Sequence, residues 1–300
     1  MRKQYRWVYA LLVGLLASIG VGMGVQEWKT NQVVGHEQYR FNLALITTSG
    51  GITFVSFDPS EKSVLSLTFP NDLAIKSRTS GEYSIASLYK LGSYKGEGGK
   101  FARQKIQGFM RVPVPGYVVV DKAGDKVERN LSSGLLKVIF SRSETSLSRY
   151  DALLLWYRLR RYSRRSVQEE ELVRAGVIAD NTYHPERLQE YVGSRLFDWG
   201  IGESRVTVAI VNASGENGLG SDMADFLSNL GMDVVMVRSL NTGSELDKSE
   251  WQVESESDAD ELGYVFQNLF SYDGAQVEPI SGEFRAKVLI RVGKDAKELF

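Results

Sequence analysis

The chain has 300 residues, of which 43% are hydrophobic, 24% charged and 11% aromatic. This composition supplies enough apolar material for a folded core, which excludes a wholly disordered chain. The absence of cysteine excludes disulfides, thiolate metal sites and a cysteine nucleophile, and two histidines leave little room for histidine-based chemistry. Residues 205–300 carry 8 basic and 17 acidic residues, whereas residues 1–204 carry 28 and 20. We therefore expect two units, the second too acidic to bind nucleic acid.

The first 30 residues have the pattern of a membrane anchor. Arg2, Lys3 and Arg6 precede a charge-free run of twenty residues, 7–26, which Glu27 closes. A helix of this length spans about 30 Å, the thickness of the hydrocarbon core of a bilayer. Basic residues in front of the run predict that the chain after it lies outside the cell. A cleaved secretory signal and a buried helix are the alternatives, but the run is long for a signal and lacks an A-x-A site at its end.

The next part of the chain predicts a layered α/β unit. Short apolar runs at 41–47, 52–57 and 63–69 are separated by turn signals and predict three strands. Helical patterns around 83–91 and 100–110 precede a buried strand at 116–121, so helices and strands alternate. The sequence GSYKGEGGK at 92–100 imitates a phosphate-binding loop, but Tyr94 replaces the first glycine and Phe101 follows the lysine. A surface loop is the favoured interpretation.

Residues 150–174 predict one long helix that carries five arginines within eight positions, namely Arg158, Arg160, Arg161, Arg164 and Arg165. On a helix, Arg158, Arg161 and Arg165 would share a face. One interpretation is a solvated face that pairs with the glutamates at 169–171. Another is a phosphate or pyrophosphate site, because guanidinium groups match phosphate oxygens in pairs. A third is contact with anionic membrane headgroups.

Several segments between residues 40 and 174 resemble the LytR-CpsA-Psr family of bacterial envelope proteins. They are ITFVSFDP at 52–59 with VLSLTFPND at 64–72, IASLY at 85–89, KIQGFMRVPVPGYVVVD at 105–121 and ALLLWYRLRRYSRRSVQ at 152–168. The resemblance implies a membrane-anchored protein that faces outward. It also implies a relationship to enzymes that transfer glycopolymers from polyprenyl-pyrophosphate carriers onto peptidoglycan.

The sequence departs from the family pattern at residues that supply the family's chemistry. Residues 48–50 read Thr-Ser-Gly where the family has R-S-D, and Asn71 replaces the arginine of S-x-P-R-D although Asp72 remains. The resemblance therefore implies an eroded magnesium site, with no cofactor and no metal unless the chain is active. Asp72 is then the candidate catalytic residue, with Asp121 and Asp151 as displaced carboxylates. The retained phosphate- or lipid-binding residues would be Arg158, Arg160, Arg164 and Arg165.

The last 96 residues predict a small α/β unit. Strands are expected at 206–211, 233–237, 251–253 and 287–292, with helices at 219–230 and 258–270. The order β-α-β-β-α-β predicts a ferredoxin-like sandwich. The glycines at 212–220 do not have the spacing of a dinucleotide loop, and entry into a helix is favoured there. NASG at 212–215, FLSNLGMDV at 226–234 and VLIRVGKD at 288–295 resemble the LytR C-terminal domain, which implies a binding or interaction module.

The expected organisation is an anchor at 1–30, a diverged LytR-CpsA-Psr-like domain at 40–175, a linker at 176–204 and a LytR C-terminal domain at 205–300. We expect a single-pass protein of the cell membrane whose bulk is extracytoplasmic. Its expected role is to bind polyprenyl-phosphate or an anionic envelope polymer, and its C-terminal domain would contact envelope proteins. The alternative is an active glycopolymer phosphotransferase that uses Mg²⁺.

Overall fold

The structure is a computed structural model that describes residues 39–77, 81–121, 126–167, 169–179, 182–196, 201–202, 206–240, 245–263, 266 and 275–300. Two five-stranded sheets organise these residues, one in each half of the chain. The predicted anchor at 7–26 lies outside the described residues. Within the described residues, the helices are all too short or too polar to cross a bilayer.

The first unit contains nine strands and six helices among the described residues. In chain order they are β1 (Phe41–Thr47), β2 (Ile52–Asp58), β3 (Ser63–Thr68), β4 (Ala74–Ser77), β5 (Gly81–Ser84), α1 (Ile85–Ser93), α2 (Gly98–Met110), β6 (Gly116–Val120), α3 (Val127–Phe140), α4 (Arg149–Arg161), β7 (Ser163–Val167), α5 (Glu169–Arg174), β8 (Ile178–Ala179), β9 (Thr182–Tyr183) and α6 (Pro185–Leu196). The three strands predicted between 41 and 69, the helix at 100–110 and the strand at 116–121 are confirmed.

The second unit also contains both strands and helices in alternation. Its elements are β10 (Thr207–Asn212), α7 (Leu219–Asn229), β11 (Asp233–Ser239), β12 (Glu250–Val253), α8 (Glu256–Gly263), β13 (Gln276–Val277), β14 (Val288–Val292) and a 3₁₀ helix (Lys294–Leu299). The mixed α/β class predicted for the chain is therefore confirmed.

The first sheet has the order β6-β1-β2-β3-β7. Strands β1, β2 and β3 form an antiparallel meander, because short turns connect them, whereas β6 pairs parallel to β1 and β7 pairs parallel to β3. The carboxyl ends of β1, β3, β6 and β7 consequently lie at one edge of the sheet. We call this edge the carboxyl edge.

Helices cover both faces of the first sheet, as the alternation of side chains along its strands requires. Ala44 and Ile46 of β1 belong to a core that also contains side chains of α1, α2 and α6. Leu43 and Leu45 point to the opposite face and pack with side chains of α3 and α4. Part of the segment predicted as a linker, 176–204, lies in the first of these cores through its buried apolar side chains, which are Val177, Ile178, Leu188, Tyr191, Val192 and Leu196.

The prediction of one helix over 150–174 is wrong. The helix begins at a capping box, in which the Ser148 side chain accepts from the Asp151 amide, and it ends at Tyr162, whose backbone is extended with φ −85° and ψ 152°. Residues 163–167 then form the edge strand β7. Clustered arginines repel one another on a helix, whereas on an edge strand they oppose association with other strands. The open side of β3 supplies the hydrogen bonds that a local helix would have made.

The second sheet has the order β11-β10-β14-β12-β13, with β10 parallel to both β11 and β14. The predicted ferredoxin-like arrangement is therefore wrong, although the elements follow the expected order β-α-β-β-α-β apart from the additional two-residue strand β13. In a ferredoxin-like fold another strand lies between the first two strands of the chain, whereas β10 and β11 are direct neighbours here. The crossover through α7 returns β11 beside β10, and β12 does not form a hairpin with β11 but pairs antiparallel with β14.

The two units contact each other at the end of α2. Arg111 follows this helix in the left-handed conformation, with φ 50°, and its guanidinium pairs with Asp222 at 2.9 Å and with Asp225, both on α7. Gly108 of α2 leaves room for Phe300, since a Cβ at Gly108 would lie 2.7 Å from the Phe300 Cα. The second unit thus packs on the first through charge pairing and one close backbone approach.

Candidate functional site

A basic groove opens between α3, α4 and β7 on one face of the first unit. It encloses a cavity of about 530 Å³. Four basic side chains and one acidic side chain are among its lining residues, which are Lys126, Glu128, Arg129, Ser132, Ser133, Leu136, Leu159, Arg160 and Arg164. We call this site the basic groove. Its excess of positive charge and its serine hydroxyls suit an anionic ligand.

Local sequence explains how each element presents its basic residues. Helix α3 buries Leu131, Leu135 and Val138 against the sheet, which turns Arg129 outward. On β7 successive side chains alternate between faces, so Arg164 and Arg165 diverge. Arg164 is paired with Val64 on the α3 and α4 face of the sheet, which places it in the groove.

The two predicted arginines that line the groove differ in their contacts. The Arg160 guanidinium lies over the Trp156 ring at 4.3 Å, a cation–π contact that holds the side chain along α4. Arg164 Nη1 donates to Glu128 Oε2 at 3.1 Å, and the two side chains are 40% and 42% exposed. Ion pairs with that much solvent exposure contribute little to stability. An anionic ligand could therefore compete with Glu128 for Arg164 at small cost.

Arg158 is not among the residues that line the groove and is only 3% exposed. Its Nη1 atom is buried and has no hydrogen-bond partner among the described residues. The neighbouring Leu155 and Leu159 on α4 are buried in the core of the same face. A buried guanidinium nitrogen without an acceptor is energetically costly, because folding has removed its water without replacing it.

Arg165 lies on the opposite face of the sheet from the groove. It is paired in register with Leu65, which belongs to the core beneath α1 and α2. Its guanidinium pairs with Glu171 at 2.8 Å, which confirms part of the expected pairing with the 169–171 glutamates. The four predicted arginines therefore do not converge on one site. The shared helix face predicted for Arg158, Arg161 and Arg165 is wrong because the helix ends at Arg161.

Asp72 lies far from the basic groove. It occupies the exposed turn after β3, at the carboxyl edge, whereas Arg164 is paired with Val64 near the start of that strand. The strand from Val64 to Phe69 alone separates the two positions by roughly 17 Å at 3.3 Å per residue. The structure thus does not bring the candidate catalytic carboxylate to the retained arginines.

The carboxyl edge does bring together the two segments in which the family motifs would lie. Gly50, with φ +104°, approaches the Ala86 carbonyl so closely that a Cβ would lie 2.3 Å from it, and the Ala86 amide donates to the Asn71 carbonyl at 2.9 Å. Thr48 Oγ1 donates to the Asp121 carbonyl at 2.7 Å. Residues 48–50 and 71–72 are therefore neighbours. Among these five residues, Asp72 alone has a charged side chain.

The remaining candidate carboxylates are engaged by protein groups. The Asp121 side chain accepts from Lys137, and this hydrogen bond lowers the pKa of Asp121. Asp151 is 2% exposed and forms the capping box of α4. Within the described residues, nowhere do three or more histidine, aspartate or glutamate side chains gather in a way that could hold a metal ion.

The glycine-rich stretch at 92–99 proves to be a helix junction. Helix α1 ends at Ser93 and α2 begins at Gly98, and the Gly99 amide donates to the Glu144 carboxylate at 2.6 Å. Glu144 also accepts from the Tyr89 hydroxyl at 2.9 Å. A side chain of the protein thus occupies the position at which a bound phosphate would meet this helix N-terminus, in agreement with the surface-loop interpretation.

Sequence reasoning missed two residues of the basic groove, Lys126 and Arg129. No helix was predicted over residues 127–140, so Lys126 and Arg129 were assigned to no element. The pattern that could have found them is the helical spacing of Leu131, Leu135 and Val138 over 127–140.

Comparison with known proteins adds a domain assignment. Residues 205–295 match the family described as LytR cell envelope-related transcriptional attenuator. A comparison with curated proteins finds no match. Solved structures that match part of this chain include the LytR-CPS2A-psr family protein YwtF (TagT) with bound octaprenyl pyrophosphate lipid, at 15% identity and TM-score 0.36, covering 51% of this chain and 88% of that one.

Two further structures show the same level of similarity. TagT bound to LI-WTA has 14% identity and TM-score 0.36, with 51% of this chain and 88% of that one covered. A transcriptional regulator from Enterococcus faecalis has 12% identity and TM-score 0.38, with 51% and 85% covered. This chain carries a LytR C-terminal domain at residues 205–295, which confirms the resemblance found in that part of the sequence.

Proposed function

We propose that this chain is a membrane-anchored, outward-facing bacterial envelope protein that binds polyprenyl-phosphate or an anionic envelope polymer. The observation that carries the proposal is the basic groove, in which Lys126, Arg129, Arg160 and Arg164 surround a cavity of about 530 Å³ with one carboxylate among them. The LytR C-terminal domain supports an envelope-related role, since the description of its family names the cell envelope.

The proposed organisation follows the sequence. An anchor at 1–30 would hold the chain in the cell membrane as a single-pass protein, and the described units would lie outside the cell. The diverged LytR-CpsA-Psr-like domain would span 40–175 and be joined by 176–204 to the C-terminal domain at 205–300. The charge-free run at 7–26 behind Arg2, Lys3 and Arg6 supports this topology.

The groove offers chemistry that matches phosphate groups. Guanidinium forks donate pairs of hydrogen bonds to phosphate oxygens, and Lys126 adds a compact positive charge. Arg158 and Arg165 do not line the groove, so Arg160 and Arg164 are the predicted arginines on which the proposal rests. Leu136 and Leu159 give the groove an apolar wall beside its charges. An isoprenoid phosphate would satisfy both features, whereas a polyol phosphate would satisfy the charges alone.

Binding without catalysis is favoured because the carboxylates are poorly placed for metal chemistry. Magnesium binds to proteins through carboxylates together with substrate phosphates, and Asp72 is separated from the groove by much of the length of β3. The alternative is a glycopolymer phosphotransferase in which Asp72 at the carboxyl edge holds Mg²⁺. Its motif-bearing segments, 48–50 and 71–72, are adjacent, which is the observation in its favour.

The binding proposal can be tested with the full-length protein in mild detergent. Binding of polyprenyl phosphate is measured against a neutral polyprenol, with wild type and an Arg160→Ala, Arg164→Ala double variant. Charge-assisted contacts contribute about 1.5–3 kcal/mol each when shielded, and less in a partly open groove, so we expect at least about tenfold weaker binding. The matched control is Arg161→Ala, because Arg161 is exposed on the same helix and does not line the groove. Equal affinity in wild type and the double variant would exclude the groove.

A second assay separates the proposal from its alternative. The same protein is incubated with a lipid-pyrophosphate glycopolymer donor, an acceptor and Mg²⁺, and product is quantified by mass spectrometry. The binding proposal predicts no turnover. Turnover that disappears in Asp72→Ala, with lipid binding retained, would establish the phosphotransferase.

A further inference from the structure

Strand β11 forms an open edge of the second sheet. Among the described strands it has one neighbour, β10, and its seven residues run from Asp233 to Ser239. An edge strand of this length presents a row of unpaired backbone amides and carbonyls, to which another strand can add. The opposite edge of the sheet is β13, which has only two residues.

The edge is also apolar. Val235 and Val237 in β11 are 41% and 45% exposed, and Leu240 next to the strand is 44% exposed. These are three of the ten large hydrophobic side chains that are exposed in the described part of the chain. Natural edge strands are commonly protected by lysines, prolines or bulges; β11 has no lysine or proline, and its protection is limited to one bulge and the charged Asp233 and Arg238.

The charges of the strand complement each other when one copy is turned around and paired with another. Asp233 lies at the start of β11 and Arg238 near its end, where Arg238 Nη1 donates to the exposed Glu283 Oε2 at 3.2 Å, an ion pair that a second copy would share or replace. An antiparallel pair of two β11 strands that sets Asp233 opposite Arg238 repeats this ion pair by symmetry. The same register sets Val234 opposite Val237.

The faces of the strand agree with this register. The pairing of β10 with β11 shifts by one residue at a bulge between Val208 and Ala209. Asp233 and Arg238 are therefore paired with Thr207 and Val211, which lie on one face of the sheet. Val234 and Val237 are in line with Val208 and Ile210 on the other face. Residues directly opposite in an antiparallel pair must share a face, and a slip by one residue would break this match at both pairs.

We propose that the LytR C-terminal domain of this chain forms a twofold symmetric dimer by antiparallel pairing of β11 with β11 of a second copy, Asp233 opposite Arg238. The occupant is a second copy because the edge is complementary to itself in both charge and face. The pairing is isologous, so it closes at two subunits. It is independent of the ligand of the basic groove, which lies in the other unit.

The test measures self-association of the full-length chain in mild detergent by sedimentation. Wild type is expected to form dimers. Val237→Lys is expected to dissociate them, because it adds charge to the paired edge. The matched control is Val277→Lys, at a valine that is 43% exposed on the opposite edge of the sheet and should leave the dimer unchanged.

A charge exchange makes the test specific for the register. Asp233→Arg and Arg238→Asp each place like charges opposite one another twice per dimer, and each alone is expected to weaken dimerisation about tenfold. A mixture of the two variants restores opposite charges at both positions, so it should associate about as well as wild type. A structural defect in either variant would not be repaired by mixing. A monomeric wild type, a dimer insensitive to Val237→Lys, or a mixture no stronger than its components would each overturn the proposal.

Discussion

Replacing the buried Arg158 with methionine should stabilise the first unit and leave the proposed ligand binding unchanged, because Arg158 does not line the basic groove. Arg158 is 3% exposed, and its Nη1 finds no acceptor among the described residues. An unsatisfied buried polar group costs about 1–3 kcal/mol, and replacing a buried charge with an apolar side chain of similar volume is often neutral or stabilising. Leu155 and Leu159 provide an apolar setting for a methionine. We therefore expect the free energy of unfolding to increase by about 1–3 kcal/mol.

The measurement is a urea titration of wild type and Arg158→Met, together with the polyprenyl phosphate binding assay. The control is Arg161→Met, because the exposed Arg161 guanidinium lies 5.0 Å from the Tyr157 ring and its loss should change stability by about 0.5 kcal/mol or less. Higher stability with unchanged binding is the expected result, and lost binding would show that the ligand reaches Arg158. A loss of stability above about 1 kcal/mol in Arg158→Met would refute the reasoning, since it would show that the guanidinium is satisfied within the protein.

Two further predictions concern the backbone and the contact between units. Gly50→Ala should lower the free energy of unfolding in urea by about 2–3 kcal/mol, because a Cβ would meet the Ala86 carbonyl. The control Gly81→Ala, also at positive φ but with open space around it, should lower it by about 1 kcal/mol. Equal losses in the two variants would contradict this reasoning. Burial and the neighbouring Asp222 carboxylate raise the pKa of Asp225 although Arg111 lowers it, so the stability linked to this carboxyl is present below pH 3.8 and is lost as pH rises through the raised pKa. Asp225→Asn should therefore flatten the dependence of unfolding free energy on pH above 3.8, and an unchanged profile would argue against it.

Much of the secondary structure could be predicted because its signals are local. The strands between 41 and 69 alternate with turn residues, and the helix from Leu219 ends before Gly231, which has φ +99°. Both signals depend on steric preferences of a few neighbouring residues, so the sequence alone contains them. The same holds for the LytR C-terminal domain, whose motif residues are contiguous in the chain.

The candidate site could be predicted only in part, because its geometry depends on pairing between distant residues. The arginine run could satisfy its backbone hydrogen bonds as a helix or as a strand. From Ser163 onward it forms a strand, because β3, about a hundred residues earlier in the chain, offers an open side with which it pairs. That choice sent Arg164 into the groove and Arg165 to the opposite face.

Composition and local pattern thus determined most strands and helices outside the arginine run and residues 127–140, that the two halves differ in charge, and which residue types could meet an anion. Tertiary structure decided the strand order of the second sheet, the burial of Arg158, the joining of Lys126 and Arg129 to the groove, and the distance of Asp72 from it. The physical reason is that hydrogen-bond pairing across a sheet and the packing of helices on its faces are set by contacts between residues far apart in the chain, which local preference does not encode.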